Sequence, residues 1–179
     1  MSSDPAPAQA GGNTAAVRIA AVLPALNEEQ ALAQVLKELP WSLFASVIVA
    51  DNGSTDRTAE VARAGGAQVV SEPRRGYGRA CLTALAMLSA EIEIVVFLDA
   101  DASDDPSEAV RLVEPILRGE ADLVIGSRAL GHAQPGSLFW TQRVGNRLAV
   151  GLIRLLYGHR YTDLGPFRAI RRSSLKQLE

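Results

Sequence analysis

Ile94-Val95-Val96-Phe97-Leu98 is an unbroken apolar run, and Asp99-Ala100-Asp101 follows it directly. Such a run reads as a parallel strand buried on both faces. Residues i and i+2 of an extended chain point to the same side. The two carboxylates are therefore expected to face one point just beyond the carboxyl end of the strand, where ligands bind in open α/β sheets. Two close carboxylates repel each other unless positive charge stands between them. A hard divalent cation, Mg²⁺ or Mn²⁺, meets that need and commonly arrives carrying phosphate oxygens. Asp104-Asp105-Pro106-Ser107 also reads as a helix start. At this point a metal site and a set of helix-capping acids both fit the stretch.

Outward from this stretch, strand and helix patterns alternate. Strands are predicted at Val17–Leu23, Val47–Ala50, Gln68–Ser71, Ile94–Leu98 and Leu123–Ile125. Helices are predicted at Glu28–Leu39, Asp56–Ala64, Gly78–Ser89 and Ser107–Arg118. Ser54 or Thr55 would cap the second helix and Gly65-Gly66 would stop it. The β-α-β-α order implies an α/β fold with a mostly parallel, doubly wound sheet flanked by helices. Leu130–Leu138 reads as a Gly/Pro-containing loop, and Arg143–Tyr157 as one further helix. At about 100° per residue, Arg143, Arg147 and Arg154 fall on one stripe, opposite Leu148, Leu152, Leu155 and Leu156. That pattern fits a basic amphipathic helix on an anionic surface, or an ordinary surface helix packed on the sheet.

With 179 residues, the chain is long enough for one domain with a real core. Its single cysteine, Cys81, excludes an internal disulfide and fits a reducing compartment. No apolar stretch is long enough to span a bilayer. Residues 1–16 are rich in Ala, Pro, Gly, Ser and Gln. They lack the basic start and apolar centre of a secretory signal and read as a disordered tail, leaving 17–179 as the folded domain. The net charge is −2, yet residues 140–179 carry eight basic side chains against two acidic ones. The asymmetry points to an anionic partner near the C-terminal part, or to a solvated basic face. No nucleic-acid partner is expected.

Several chemistries are excluded or disfavoured. The first strand runs into Pro24-Ala25-Leu26-Asn27-Glu28, not the G-x-G-x-x-G of a dinucleotide-binding fold. There is no phosphate-binding G-x-x-x-x-G-K-[ST] loop and no G-x-S-x-G nucleophile elbow. His132 and His159 are isolated and read as surface or loop residues. Cys81 lies in a predicted buried helix and reads as structural. A haloacid-type phosphatase would place its acid pair after the first core strand, whereas Asp99 and Asp101 follow the fourth.

A second acidic strand end strengthens the site reading. Asp51 follows Val47-Ile48-Val49-Ala50 and leads into Asn52-Gly53-Ser54-Thr55-Asp56. Its carboxylate suits the N–H donors of a nucleotide base, while Gly53 and Ser54 suit a turn in either case. Ordered along the chain, six motifs resemble the family 2 glycosyltransferases, whose nucleotide-sugar-binding fold is termed GT-A. They are Val22-Leu23-Pro24-Ala25-Leu26-Asn27-Glu28, Ala50-Asp51-Asn52-Gly53-Ser54-Thr55-Asp56, Arg75-Gly76-Tyr77-Gly78-Arg79-Ala80, Leu98-Asp99-Ala100-Asp101, Gly126-Ser127-Arg128 and Thr162-Asp163-Leu164-Gly165-Pro166-Phe167-Arg168. The last resembles the acceptor-side motif of the polyprenyl-phosphate branch, which includes the dolichyl-phosphate mannose synthases. Ser103 stands where that branch usually carries glutamine.

The resemblance implies an inverting, metal-dependent glycosyltransferase. Its donor would be a nucleotide diphosphate sugar and its acceptor a polyprenyl phosphate at the cytoplasmic membrane face, with peripheral membrane contact. A soluble or polysaccharide acceptor, or a non-catalytic nucleotide-binding remnant, are the alternatives. It implies Pro24, Ala25, Asn27, Glu28, Asp51, Arg75, Gly76 and Ala100 as donor-binding residues. Asp99 and Asp101 would hold Mg²⁺ or Mn²⁺ beside the diphosphate, with Asp101 counted in the catalytic set. Arg128 and Arg168 would contact phosphate through their guanidinium forks, and Asp163 would act as an acceptor-side base or positioning group. Relatives continue past the position of Glu179 with another helix and a basic segment, so the chain is expected to be a C-terminally short member.

Overall fold

The computed structural model describes residues 17–126 and 165–177. The tail 1–16, the basic stretch Arg143–Tyr157, Arg128 and Asp163 lie outside the described residues. The described strands are β1 (Ile19–Ala25), β2 (Ser46–Asp51), β3 (Gln68–Ser71), β4 (Ile94–Phe97), β5 (Leu123–Ile125) and β6 (Arg168–Arg171). The helices are α1 (Glu29–Glu38), α2 (Thr58–Ala64), α3 (Tyr77–Ala86), α4 (Ala109–Leu117) and a single turn, α5 (Arg172–Leu175). The sheet order is β3-β2-β1-β4-β6-β5. β1 pairs in parallel with both β2 and β4, and β2 with β3.

All seven residues of β1 are buried, because helices cover both faces of the sheet. Alternate side chains enter two different cores, as the two-residue period of a strand requires. Ala21 and Leu23 pack with Leu32, Val35 and Leu36 of α1 and with Leu112, Val113 and Ile116 of α4. Ala20 and Val22 pack with Ala80, Cys81 and Ala84 of α3. Cys81 is buried as expected. After β3 the chain returns past β1 to lie on its other side, so the strand order reverses between β1 and β4. A crevice outside the carboxyl ends of the strands is expected at such a switch point.

Pro24 stands at this switch point. The strand predicted to end at Leu23 runs to Ala25, with Pro24 opposite Ala50, although proline disrupts a central ladder. Ala25 carbonyl accepts from Asn52 N on the β2 side, and Val22 carbonyl from Leu98 N on the β4 side. By alternation Pro24 faces β4. There the registered pairing stops at Val22–Phe97, so the missing N–H costs no ladder bond.

β6 is the element that sequence reading does not supply. It inserts antiparallel between β4 and β5, making the sheet mixed at that edge. Only Ala169 and Ile170 of its four residues are buried. Arg171 Nε donates to Asp122 Oδ1 at 2.8 Å and its Nη2 to Ile116 carbonyl at 2.7 Å, which allows an arginine at the end of an internal strand. Two helix starts also lie two residues from expectation. α2 begins at Thr58, with Asp56 Oδ1 accepting from Thr58 N at 3.0 Å, so neither Ser54 nor Thr55 is the cap. The predicted helix from Ser107 begins as a 3₁₀ turn, Pro106–Glu108, with Asp105 accepting from Ser107 N. No helix among the described residues is long and apolar enough to cross a membrane.

Candidate functional site

Four segments meet at the carboxyl ends of β1, β2, β3 and β4. The first, between β1 and α1, is stitched to the second, between β2 and α2. Asn27 adopts a left-handed φ of 57°, a conformation that asparagine tolerates better than most residues. Its N–H donates to Ser54 Oγ at 3.0 Å, and its Oδ1 accepts from Thr55 N at 2.8 Å. Glu28 N donates to Thr58 Oγ1 at 2.8 Å, and Glu29 N to Asp56 Oδ2 at 3.1 Å. Arg57 N donates back to Glu29 Oε2 at 3.1 Å. The run Ser54-Thr55-Asp56-Arg57-Thr58 therefore shapes the 27–29 turn as well as starting its own helix.

Asp51 closes β2 and is half-buried. Its Oδ1 accepts from Ser54 N at 3.0 Å, which fixes the carboxylate plane. Pro24 and Ala25, expected at the donor site, lie beside it in the buried end of β1.

The third segment joins β3 to α3. Asn52 is only 5 % exposed and spans the segment with three hydrogen bonds. Its Nδ2 donates to Glu72 and Arg74 carbonyls, both at 2.9 Å, and its Oδ1 accepts from Gly76 N at 2.8 Å. Buried Glu72 accepts from Arg74 Nε at 3.1 Å, from Arg74 N at 3.0 Å and from Thr83 Oγ1 at 2.8 Å. The Arg74 guanidinium leads the effects that hold the Glu72 carboxyl down at about 2. Arg75 and Gly76 ride on this brace with exposed surfaces. Asn52 and Glu72 were not legible as site residues, because a buried support bonds to backbone and leaves no chemical signature.

The fourth segment carries Asp99 and Asp101. Sequence reading aligns the two carboxylates by strand alternation. The strand instead ends at Phe97, and residues 100–102 bend, with Ala102 at φ 57°. Ala100 anchors the bend by burying its side chain in the core. Asp101 Oδ1 accepts from Ser103 N at 2.9 Å. Asp99 and Asp101 are thus carried by a bend, not by an extended strand.

Electrostatics shows which groups converge. The Glu28 carboxyl is raised first by burial and then by the negative charges of Asp101, Asp56 and Asp99. Acids from the first, second and fourth segments therefore share one neighbourhood. Asp99 also acts electrostatically on Tyr77. The phenol is pushed up by burial first and by the Asp99 charge second, while Arg168 pulls it down. Burial pushes the Cys81 thiol up to about 11, with Arg168 opposing. Arg168 lies opposite Phe97 in the β4–β6 register, its guanidinium 5.6 Å from the ring centroid. A cation therefore stands beside the acidic cluster, where sequence reading expects a phosphate contact. Gly126, which opens the 126–128 motif, donates its N–H to Phe167 carbonyl at 2.8 Å. Tyr77 stands within the Arg75–Ala80 motif, between two glycines.

Among the described residues no three His, Cys, Asp or Glu side chains form a complete metal cage. Two carboxylates in an acidic neighbourhood suit a small divalent cation that draws its remaining ligands from phosphate and water. The donor set of Asp99 and Asp101 fits Mg²⁺ or Mn²⁺ on that ground.

The chain is similar to known glycosyltransferases. A family model described as glycosyl transferase family 2 matches residues 20–179. An uncharacterized glycosyltransferase of Mycobacterium bovis is 41 % identical over 162 residues, covering 89 % of this chain and 70 % of the relative. The UDP-N-acetylglucosamine–dolichyl-phosphate N-acetylglucosaminyltransferase of Methanococcus voltae is 28 % identical over 178 residues, covering 88 % and 70 %. Glucosyl-3-phosphoglycerate synthase of Mycobacterium tuberculosis, solved with Mn²⁺, UDP and glucosyl-3-phosphoglycerate, superposes with a TM-score of 0.70 at 32 % identity. This chain is 89 % covered in that match and spans 58 % of the synthase chain. The same synthase has been solved with Mg²⁺ and UDP.

Proposed function

The chain belongs to glycosyl transferase family 2, and we propose that it transfers a sugar from a nucleotide diphosphate donor to a phosphate-bearing acceptor, with a polyprenyl phosphate as the favoured one. The observation that carries the proposal is the shared electrostatic neighbourhood of Glu28, Asp56, Asp99 and Asp101, with the Arg168 guanidinium over Phe97 and acting on Tyr77 and Cys81. Acids and a guanidinium side by side suit a metal-bound diphosphate.

In this account the nucleoside lies over Pro24, Ala25, Asn27 and Glu28. Asp51 offers its Oδ2, which takes no hydrogen bond from the described residues, to an N–H of the base. Arg75 and Gly76 border the donor, with Gly76 N already held by Asn52. Asp99 and Asp101 would hold Mg²⁺ or Mn²⁺, which neutralises charge on the departing diphosphate. Arg168, and Arg128 by sequence position, contact phosphate oxygens. The bond from the anomeric carbon to the diphosphate oxygen breaks as the acceptor oxygen bonds from the opposite face, which inverts the centre. Asp163 receives the proton when the acceptor is a hydroxyl, and only positions the acceptor when it is a phosphate oxyanion.

The acceptor class draws support from two relatives. One is named for dolichyl phosphate and the other was solved with a phosphorylated glycerate product. The sequence spacing of Arg143, Arg147 and Arg154, which would align them on one face of a helix, favours the lipid-borne phosphate, because basic residues suit anionic headgroups. Peripheral contact at the cytoplasmic membrane face follows from that choice. A soluble phosphorylated acceptor is the second reading, favoured by the likeness to the synthase.

A screen of UDP-, GDP- and dTDP-sugars with Mg²⁺ or Mn²⁺, read as thermal stabilisation, identifies the donor. Product formation with polyprenyl phosphate in liposomes, set against soluble 3-phosphoglycerate, decides the acceptor. Turnover with the soluble acceptor alone overturns the lipid assignment.

A further inference from the structure

We propose that Ser54 is a positioning residue for the nucleoside half of the donor site, holding the Asp51 carboxylate and the Asn27–Glu28 turn at one spacing. The inference rests on the donor site described above. Ser54 is half-buried. Its N–H donates to Asp51 Oδ1 at 3.0 Å, and its Oγ accepts the N–H of Asn27 at 3.0 Å. Asp51 is the last residue of β2, and Asn27 lies two residues past β1. One residue therefore joins the two strand ends over which a nucleoside would lie. Thr55, Asp56 and Thr58 also bond the 27–29 turn, but none of them reaches the Asp51 carboxylate. Among the described residues Ser54 alone bonds both.

The backbone on either side explains the role. Gly53 has φ +81°, a conformation open to glycine and costly for other residues. It turns the chain so that the amide of Ser54 faces back to Asp51. Asp51 is then held through Oδ1, with Oδ2 kept for an N–H of the base. Asn27 has φ 57°, a sparsely populated conformation that persists where its surroundings over-determine it. Ser54 Oγ takes its N–H, and Thr55 N binds its side-chain oxygen. The two links of Ser54 are chemically separable. Its bond to Asp51 comes from the backbone and survives substitution, whereas its bond to Asn27 comes from the hydroxyl and is lost with it. Removing the hydroxyl therefore frees the turn from the base acid. It leaves untouched the bend after β4 that carries Asp99 and Asp101, on the diphosphate side.

Ser54→Ala, Ser54→Thr, Asp51→Asn and the double variant of Ser54→Ala with Asp51→Asn test the assignment. UDP, GDP and dTDP are titrated with Mn²⁺ by calorimetry, well below each variant's thermal midpoint. The nucleotide that binds wild type most tightly is then displaced with inorganic pyrophosphate and Mn²⁺. Ser54→Ala is expected to weaken that nucleotide roughly tenfold, the worth of about one hydrogen bond, and to leave the dissociation constant of pyrophosphate unchanged. Ser54→Thr keeps the hydroxyl and is expected to bind as wild type does. The double variant is expected to lose less than the product of the two single losses, because both residues act on one base. A fold brace with no positioning role would lower the thermal midpoint of Ser54→Ala and leave its nucleotide affinity unchanged; that result overturns the proposal. Equal weakening of nucleotide and pyrophosphate, a Ser54→Thr variant as weak as Ser54→Ala, or fully multiplicative losses in the double variant overturn it too. Wild-type protein that binds none of the three nucleotides, or from which pyrophosphate displaces none, overturns the donor-site reading itself.

Discussion

Thr58 Oγ1 accepts the backbone N–H of Glu28 at 2.8 Å, across 30 residues of sequence. The same hydroxyl donates to Asp56 Oδ1, and Thr58 is fully buried. One side chain therefore starts α2, orients Asp56 and holds the turn that carries Glu28. Leaving one such group unsatisfied costs about 1–3 kcal/mol. Thr58→Val keeps the shape and deletes the hydroxyl. It is expected to lose about that much stability in urea unfolding and to weaken nucleotide binding in calorimetry.

Glu72 predicts an acid limb. Its carboxyl titrates at about 2 in the folded protein against 4.5 ordinarily. A lowered folded value gives stability that is fully present above about pH 4.5 and is lost as pH falls through about 2. Glu72→Gln lacks this contribution at neutral pH. Its urea midpoint is expected to lie below that of wild type at pH 7 and to fall less steeply from pH 4.5 towards 2.

Gly65 and Gly78 should respond in opposite directions to alanine. A Cβ at Gly65 would meet Leu36 Cδ1 at 2.6 Å, whereas one at Gly78 meets nothing within 4 Å. Leu36 is itself buried where α1 packs on α2. Gly65→Ala is expected to cost about 1–3 kcal/mol through overpacking. Gly78→Ala is expected to gain about 0.4–1 kcal/mol from the reduced freedom of the unfolded chain. Thermal midpoints measure both.

Arg168 tests the cationic side of the site. Replacing it with lysine keeps the charge and loses the planar fork that suits phosphate. Arg168→Lys is expected to raise the donor KM or lower kcat by roughly tenfold, the loss of about one charge-assisted hydrogen bond. Wild-type kinetics in this variant would remove Arg168 from the phosphate-binding set.

Cys81 should be inert. Its thiol sits at about 11 and is buried, so the reactive thiolate is scarce at neutral pH. Iodoacetamide is expected to leave the folded protein unlabelled at pH 7.5 and to label it fully in urea, as read by mass spectrometry.

Much of this architecture is legible in the residues because period and burial coincide. Ile94–Phe97 is apolar throughout since helices cover both faces of β4; Asp51 is the last residue of β2, and Asp99 follows two residues past the end of β4. β6 escapes detection because Arg168-Ala169-Ile170-Arg171 offers only two buried side chains, and its arginines find partners that no local pattern reveals. The bend at 100–102 escapes for a related reason: a left-handed Ala102 has no sequence signature. The side-chain oxygen of Asn27, a residue expected at the nucleoside, also binds Thr55, a link between segments 28 residues apart. Long-range polar stitching of this kind is specified by the fold, whereas the acids it supports are visible in the sequence.

The convergence of Glu28, Asp99 and Asp101 is tested most directly by calorimetric titration of UDP into wild-type protein and Asp101→Ala, each with and without Mn²⁺. Wild type is expected to bind UDP tightly only with Mn²⁺, and Asp101→Ala to lose the metal-dependent part while keeping its thermal midpoint. Metal-dependent binding retained in full by Asp101→Ala would contradict the assignment of the bend at the end of β4 as the cation site.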